Sequence, residues 1–540
     1  MPPFQNGAFT SDPEVRAAYS EGAGIFRIVP GAVAVPSTTR ALGELIRWAA
    51  ARGSSLTPRG AGSGMTGGNL GDGILVDLTV LDGCPLTVDG QTLAAVTGAG
   101  VTLRALQMEA GRFGLRLPPD PSSGRFATVG GMVSTNAAGP TSVRSGSVRR
   151  WVEALHLISA EGQPLVLRRG TSPPEVPVVE RFRREAEPVL RAAGGLIRDR
   201  FPRTRKNSSG YALDAWLESG DLLDLVIGSE GTLAFITAIE WRLEAIPRHR
   251  AGLRAGFRSL AEIGALVPEL VALEPSAFEF LDATLLRFVE RSGVPLPGAG
   301  AGGILLLEFE HDDAGDVEAR VRAAAARLAP VCHPLDHAGG GRELERLWEI
   351  RHAASPRLAT LGQERRSLQV IEDGCVPESR VAEYVAAVER AAERQGIEVV
   401  MFGHLGCGNV HVNLLPDVSR PGWESRVRAV FEEVSSRTIE LGGSLSGEHG
   451  DGRLRTPILA ARYGTEVMEL FRKVKHAFDP AGRLNPGVKI PLPGQPVLGP
   501  LKVGSGAAPI PPDLERRLRA IEQTAGYSLS RLELGTLPWP

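Results

Sequence analysis

The run Pro58-Arg59-Gly60-Ala61-Gly62-Ser63-Gly64-Met65-Thr66-Gly67-Gly68-Asn69 restricts the fold more than any other stretch of the chain. Glycine brings no side chain and a large backbone entropy cost, so this run suits neither a helix nor a packed strand. It can instead bring many backbone N–H groups against one anion. Gly62 to Gly67 spells G-x-G-x-x-G. That motif should open a helix in a dinucleotide fold, whereas Gly73-Ile74-Leu75-Val76-Asp77-Leu78 continues as a strand pattern. No G-K-[ST] occurs, so a Walker loop is excluded. On this stretch alone a flexible surface loop stays open beside an anion cradle.

At 540 residues the chain exceeds one hydrophobic core, and two or three domains are expected. A formal net charge of −2 gives no bulk attraction to nucleic acid or to a membrane. Cys84, Cys332, Cys375 and Cys407 form no C-x-x-C. This argues against a disulfide framework and against an iron–sulfur cluster held by this chain alone. Residues 1–30 lack a basic head followed by an apolar core, and no apolar run reaches spanning length. The expected setting is cytoplasmic, with any membrane association peripheral and through a partner.

Periodicity predicts a strand over 32–36, a helix from Thr38 or Thr39 to Ala50, and strands over 55–57, 73–78 and 93–96. A helix follows over 102–112, then a stretch of small and hydroxyl residues, Thr128 to Gly139, with little to fill a core. A hairpin is expected around Glu161-Gly162, helices within 170–205, a buried strand over 223–228 and another over 233–243. Beyond Pro247 strands and helices alternate. They include a helix over 344–361 interrupted at Pro356, a strand over 368–373, strands within 399–413 and a helix over 423–441. Residues 491–540 are rich in Pro and Gly and carry one amphipathic helix over 512–524, which suggests a docking arm for a partner.

Two later motifs carry candidate chemistry. His404-Leu405-Gly406-Cys407-Gly408-Asn409-Val410-His411 sets two histidines seven apart. The glycines and valines argue against a helix, and on one straight strand the rings would face opposite sides. Gly406-Cys407-Gly408 must therefore turn the chain if both are to reach one ion. Imidazole suits Zn²⁺, and a carboxylate completes a three-ligand site with an open position, with Glu448 in Ser446-Gly447-Glu448-His449-Gly450-Asp451 the obvious partner. Two ordinary strand-end histidines with hydrogen-bonded rings fit the same spacing.

The Gly run, then Pro118-Pro119-Asp120-Pro121-Ser122-Ser123, Thr128 to Gly139, and Gly228-Ser229-Glu230-Gly231-Thr232-Leu233-Ala234-Phe235-Ile236-Thr237, together resemble the FAD domain of the vanillyl-alcohol-oxidase and p-cresol-methylhydroxylase (PCMH) type. The two histidine motifs and Leu484-Asn485-Pro486-Gly487-Val488-Lys489 are similar to those of the branch holding the glycolate oxidase flavin subunit, D-lactate dehydrogenase and D-2-hydroxyglutarate dehydrogenase. The resemblance covers about residues 30–490. It implies an α+β fold: a two-subdomain FAD-binding domain over 31–247, an α+β, ferredoxin-like cap over 248–477, and a segment over 478–490 that returns to the FAD domain. A lead-in (1–30) and the tail (491–540) flank them.

The resemblance assigns FAD binding to Arg59, Gly60, Ala61, Gly62, Ser63, Gly64 and Thr66 at the pyrophosphate. Pro119, Asp120, Pro121, Ser122, Gly130, Gly131, Ser134, Asn136 and Gly139 go to the isoalloxazine and ribityl chain. Glu230 and Ile236 go to the adenine side, and Asn485 completes the set. Some members attach FAD to a histidine of the first loop. Ser63 stands at that place and cannot form the bond, so non-covalent FAD is expected.

His404, His411 and Glu448 match the ligands of a divalent metal, with Cys407 facing away, and His449 matches the base that takes the hydroxyl proton of a 2-hydroxy acid. Arg351, in a W-x-x-R helix, matches the cation for the substrate carboxylate; the segment Lys206-Asn207-Ser208-Ser209-Gly210-Tyr211 is a further candidate for the pocket wall, with Tyr211 either bonding substrate or packed in the core. Some members carry a lysine before E-D-x-x-V-P, but Val370-Ile371 precede Glu372-Asp373 here, which argues against a distal carboxylate contact.

The implied reaction is FAD-dependent oxidation of a D-2-hydroxy acid to the 2-oxo acid. Electrons would leave to a separate iron–sulfur subunit, an electron-transfer flavoprotein or a quinone, and a homodimer is compatible. Two other readings stay open: a metal-independent alcohol or aldonolactone oxidase on the same fold, and a non-catalytic flavin subunit of a larger redox complex.

Overall fold

The computed structural model describes residues 4–82, 84–290, 302–359, 361, 364–504 and 506–523. Its first sheet sets four strands in the order Gly7–Thr10, Ala32–Pro36, Ile74–Asp77, Leu56–Arg59. The last three run parallel, which requires a crossover. Helix Thr39–Ala50 supplies it: the Thr38 side chain accepts from Ala41 N–H, and Leu42, Leu45, Ile46 and Ala49 are buried in the core formed with the sheet. The Gly run therefore leaves the carboxyl end of a parallel strand, the edge where open α/β sheets bind ligands.

A second sheet orders five antiparallel strands as Thr87–Asp89, Ala94–Gly98, Phe235–Arg242, Val152–Ile158, Pro164–Arg168. A third orders seven antiparallel strands as Cys332–Ala338, His249–Phe257, Gly303–His311, Ala277–Asp282, Glu398–His404, Asn409–Leu415, Gly374–Cys375. Arg116 and Arg144 pair with both Glu244 and Glu310, joining this sheet to the N-terminal half.

Several elements differ from the sequence expectation. Residues 223–228 begin as a short helix, Leu223–Val226, not a strand; a short run buried all round has no period to separate the two. The Thr128–Gly139 stretch contains helix Val129–Thr135, capped by Thr128 and ended by left-handed Asn136. Its Val129, Met132 and Val133 do fill the core, a role masked by two consecutive glycines. Helix Gly341–Ala359 runs through Pro356 without a break. Residues 368–373 form no strand beyond a single Leu368–Leu414 bridge, because Glu372 and Asp373 bond to side chains and loop amides instead of a ladder.

Helix Leu459–Phe478 buries Tyr463, Val467, Phe471 and Phe478 in the core of residues 95–243, so this part of the expected cap packs with the first half. The described part of the tail lies on its own chain. Leu501 bridges Phe26, and helix Pro512–Gln523 pairs Glu515 with Arg27 and Arg519 with Glu21. Among the described residues no helix is long and apolar enough to cross a membrane.

Candidate active site

A cavity of about 400 Å³ runs from the Gly run to the two histidine motifs. Gly60, Ala61, Gly62, Ser63, Gly64 and Thr66 line one end; Pro121, Ser122, Gly130, Gly131, Ser134, Gly139, Glu230 and Ile236 line its middle. Gly62 has φ +76, and a Cβ there would lie 2.4 Å from Arg59 Nη2, so the turn needs glycine. Arg59 also borders the cavity, but its guanidinium turns beneath the loop and donates to Tyr19 O at 3.3 Å and Glu21 O at 2.8 Å. It props the cradle from below.

Four of the FAD candidates stand outside the lining. Asn485 Nδ2 donates to Gly68 O at 2.7 Å and Glu230 O at 2.8 Å, tying the loop down. Asn136 Oδ1 accepts from Arg149 N–H at 3.3 Å. Pro119 is buried, and Asp120 is exposed. Glu230 is a brace as well as a wall: its carboxylate accepts from Asp451 and Gly452 N–H and pairs with Lys489, while burial pushes its pKa up.

At the other end a β-hairpin brings the histidines together. Strands Glu398–His404 and Asn409–Leu415 pair Phe402 with His411 and His404 with Asn409, which puts His404 and His411 on one face. The turn Leu405–Cys407 ends in left-handed Gly408, where a Cβ would meet Val376 O at 1.9 Å. Glu448 arrives on a loop that Asp373 organises, accepting from Glu448 N–H at 3.0 Å, His449 N–H at 2.8 Å and Ser446 Oγ at 2.7 Å.

His404 Nε2 lies 2.9 Å from Glu448 Oε1 and 3.3 Å from His411 Nε2, and His411 Nε2 lies 3.4 Å from Glu448 Oε1. The opposite ring nitrogens face acceptors: His404 Nδ1 sits 2.5 Å from Glu279 Oε1, and His411 Nδ1 sits 2.8 Å from Glu372 O. A proton on each Nδ1 satisfies these partners. Two imidazole lone pairs and a carboxylate oxygen then converge on one point, an arrangement that a cation stabilises and that orients metal-binding histidines.

Burial raises the Glu448 pKa, but Lys206 and His404 outweigh it and hold the group ionised. Lys206 Nζ donates to Glu448 Oε2 at 2.9 Å and to Asn409 Oδ1 at 3.2 Å. Asp373, His411, Glu448 and His449 also offer atoms within 4.8 Å of one another, but the Asp373 oxygens are taken by the loop and by Asn409. Cys407 Sγ faces Ser142 Oγ at 3.4 Å and does not join the cluster.

His449 stacks on His411 with centroids 5.2 Å apart and 12° between planes. Its Nδ1 bonds Glu372, which Arg455 also holds. Burial lowers the His449 pKa, but the charges of Glu372 and Asp373 win and raise it to about 10. Arg351 is buried along the cavity, with Nε 2.9 Å from Glu279 Oε2 and its guanidinium carbon 4.8 Å from the Phe402 ring centroid. Tyr211 is elsewhere, bonded to Thr232 Oγ1 at 2.8 Å inside the first core.

Sequence reasoning missed Glu279 and Glu372 as site residues, and of the segment Lys206 to Tyr211 it singled out Tyr211 where Lys206 is the residue that reaches Glu448. The available signals were an acid inside the apolar strand Ala277–Asp282 and a lysine in a chain that otherwise uses arginine.

A glycine-rich cradle joined to a histidine–carboxylate cluster through one cavity fits a flavin-binding oxidoreductase. Residues 30–168 match the FAD binding domain family, and residues 246–488 match the C-terminal domain of FAD linked oxidases. The D-lactate dehydrogenase of Archaeoglobus fulgidus is 30% identical over 459 residues, covering 84% of this chain and 90% of that protein. The chain belongs to the FAD-linked oxidase family.

The Bacillus subtilis glycolate oxidase subunit GlcD is 29% identical, covering 86% of this chain and 89% of that protein. The D-2-hydroxyglutarate dehydrogenase of Escherichia coli is 30% identical over 89% of this chain, which spans only 50% of that protein's length. The solved structure of 4-ethylphenol oxidase from Gulosibacter chungangensis shares the PCMH-type fold, with TM-score 0.64 at 14% identity over 89% of this chain and 94% of that one.

Proposed function

We propose that the chain oxidises a D-2-hydroxy acid to the 2-oxo acid with non-covalent FAD and a divalent metal, Zn²⁺ by donor type. The observation that carries this reading is the single cavity joining the Gly60–Gly64 backbone to the His404–His411–Glu448 trio. The N–H groups of the Gly run hold the FAD pyrophosphate, and the small lining residues Gly130, Gly131, Ser134, Ala137 and Gly139 leave room for the isoalloxazine. Held there, FAD would supply the acceptor for the hydride that leaves C2 of the substrate. His404, His411 and Glu448 hold the metal, which supplies Lewis-acid polarisation of the hydroxyl.

Arg351 orients the substrate carboxylate from the cavity wall, and Glu279 steadies it. His449 takes the hydroxyl proton on Nε2, because Glu372 commits Nδ1. The charges that raise its pKa also stabilise the imidazolium that results. A dication held by Glu448 would offset part of that negative charge and so favour the neutral His449 ring before reaction.

A separate redox partner reoxidises the flavin. The decisive experiment is anaerobic titration of the FAD-loaded protein with D- and L-2-hydroxy acids. The flavin absorbance should fall with D-acids, and failure of every acid to bleach it would sink the reading.

A further inference from the structure

The Glu448 carboxylate has two oxygens, and the converging rings meet only one of them. Oε1 lies 2.9 Å from His404 Nε2 and 3.4 Å from His411 Nε2. Oε2 turns the other way and accepts from Lys206 Nζ at 2.9 Å. The Lys206 side chain is 1% exposed and does not border the cavity, so it reaches no substrate. A charge buried this deeply is costly unless it is paired, and its partner is an oxygen of the residue that completes the histidine cluster.

Asn409 fixes where the ammonium stands. Its Oδ1 accepts from Lys206 Nζ at 3.2 Å, while its Nδ2 donates to Asp373 Oδ1 at 3.0 Å and to Gly374 O at 3.2 Å. Asp373 in turn holds the N–H groups of Glu448 and His449. The backbone beside Lys206 is fastened to the same loop. Ser208 N–H donates to Ser446 O at 2.8 Å, Ser208 Oγ to Gly447 O at 3.1 Å, and Gly210 N–H to Asp451 Oδ2 at 2.7 Å. Residues 206–210 of the first half thus clamp residues 446–451 of the second, and Lys206 holds Oε2 away from the rings.

We propose that Lys206 is a positioning residue that restricts Glu448 to one metal-facing oxygen. A carboxylate can give an ion one oxygen or both. With Oε2 occupied, His404, His411 and Oε1 supply three donor atoms, and the remaining positions stay open for substrate oxygens. The ammonium also draws charge from Glu448, which weakens it as a donor and leaves a bound ion the stronger Lewis acid. The inference rests on the metal-assisted reading above.

The test uses the FAD-loaded full chain, its Lys206→Met variant and its Lys206→Arg variant, each stripped with a chelator, reloaded with Zn²⁺ or Co²⁺, and checked for FAD content and melting temperature. Lys206→Met removes a cation beside a dication site and frees Oε2, so Zn²⁺ should bind at least about tenfold tighter. Its visible Co²⁺ bands should weaken, the mark of a higher coordination number. Its kcat with D-2-hydroxy acids should fall about 10–100-fold with little change in KM. Lys206→Arg, which keeps charge and donors, should lie closer to wild type in the Co²⁺ spectrum.

Loss of Zn²⁺ from Lys206→Met, or an unchanged Co²⁺ spectrum in it, overturns the role and leaves Lys206 a structural ion pair. If that variant does not fold, zinc X-ray absorption of wild type decides: one Glu448 oxygen at bonding distance supports the role, and two overturn it. Metal bound through one oxygen without bleaching by any hydroxy acid overturns the proposed reaction and leaves the role of Lys206 standing. A wild type that binds neither metal overturns both.

Discussion

Glu279 Oε1 lies 2.5 Å from Nδ1 of His404 across 125 positions of sequence, while its other oxygen holds Arg351 Nε at 2.9 Å. Burial would raise the Glu279 pKa, but His404 and Arg351 outweigh it and bring it to about 2. One buried carboxylate thus fixes which imidazole nitrogen faces Glu448 and where the Arg351 guanidinium sits.

Glu279→Gln should therefore loosen the metal before it touches the flavin. The amide keeps the shape but loses the charge that makes His404 a better donor. Metal affinity should fall about 10–100-fold, read as metal per flavin after dialysis against a weak chelator, with FAD content unchanged. Equal metal retention by variant and wild type would remove Glu279 from this role.

Chelation should separate the two ends of the cavity. Prolonged dialysis against a strong chelator should leave the flavin spectrum in place and abolish its bleaching by D-2-hydroxy acids, and adding Zn²⁺ should restore it. Full activity in metal-free protein would instead favour a metal-independent oxidase. His411→Ala should behave as the chelated protein does, and added Zn²⁺ should not rescue it.

Acid precipitation should leave a colourless pellet and a yellow supernatant, because Ser63 at the cradle offers no imidazole for a flavin bond. Colour retained in the pellet would show a covalent link elsewhere.

Gly62→Ala should weaken FAD binding. Its φ of +76 is unfavourable for alanine, and the new Cβ would lie 2.4 Å from Arg59 Nη2. The strain is about 1–3 kcal/mol. It should appear as a lower melting temperature and as FAD lost on gel filtration. Unchanged flavin retention would mean that the cradle does not depend on this turn.

Asp282 gives a pH dependence away from the histidine–carboxylate cluster. Burial outweighs the bonds from Leu285 and Met401 N–H and pushes its pKa up to about 7, against about 3.9 in an unfolded chain. A raised acid pKa means that the native state holds the proton longer. Its contribution to stability is greatest below the unfolded value, falls as pH rises towards 7, and is constant above. The melting temperature of wild type relative to Asp282→Asn should follow that course, and parallel profiles would contradict it.

The histidine pair was legible in part. The glycines of Gly406-Cys407-Gly408 forced a turn, and the turn exists. The register that puts both rings on one face is a property of the hairpin, and the candidates spread over the Gly run converge on the cavity through backbone position alone. The failures fall where local pattern is silent. Leu223–Val226 is buried on every side, and Val129–Thr135 hides its helix behind paired glycines. In each case tertiary burial, which no short window records, selected the conformation.

The sequence by itself determined the flavin cradle, the turn between His404 and His411, the acid at Glu448 and the family. These depend on local backbone freedom and on donor chemistry carried in short motifs. Only the tertiary structure decided that Glu279 orients His404, that Lys206 and Asp373 hold the Glu448 loop, and that the tail brings Glu522 beside Arg366 at the cavity wall. Those partners lie tens to hundreds of residues apart. Their pairing is set by how the sheets and the returning tail pack, where buried charge must find charge, and no spacing along the chain encodes it.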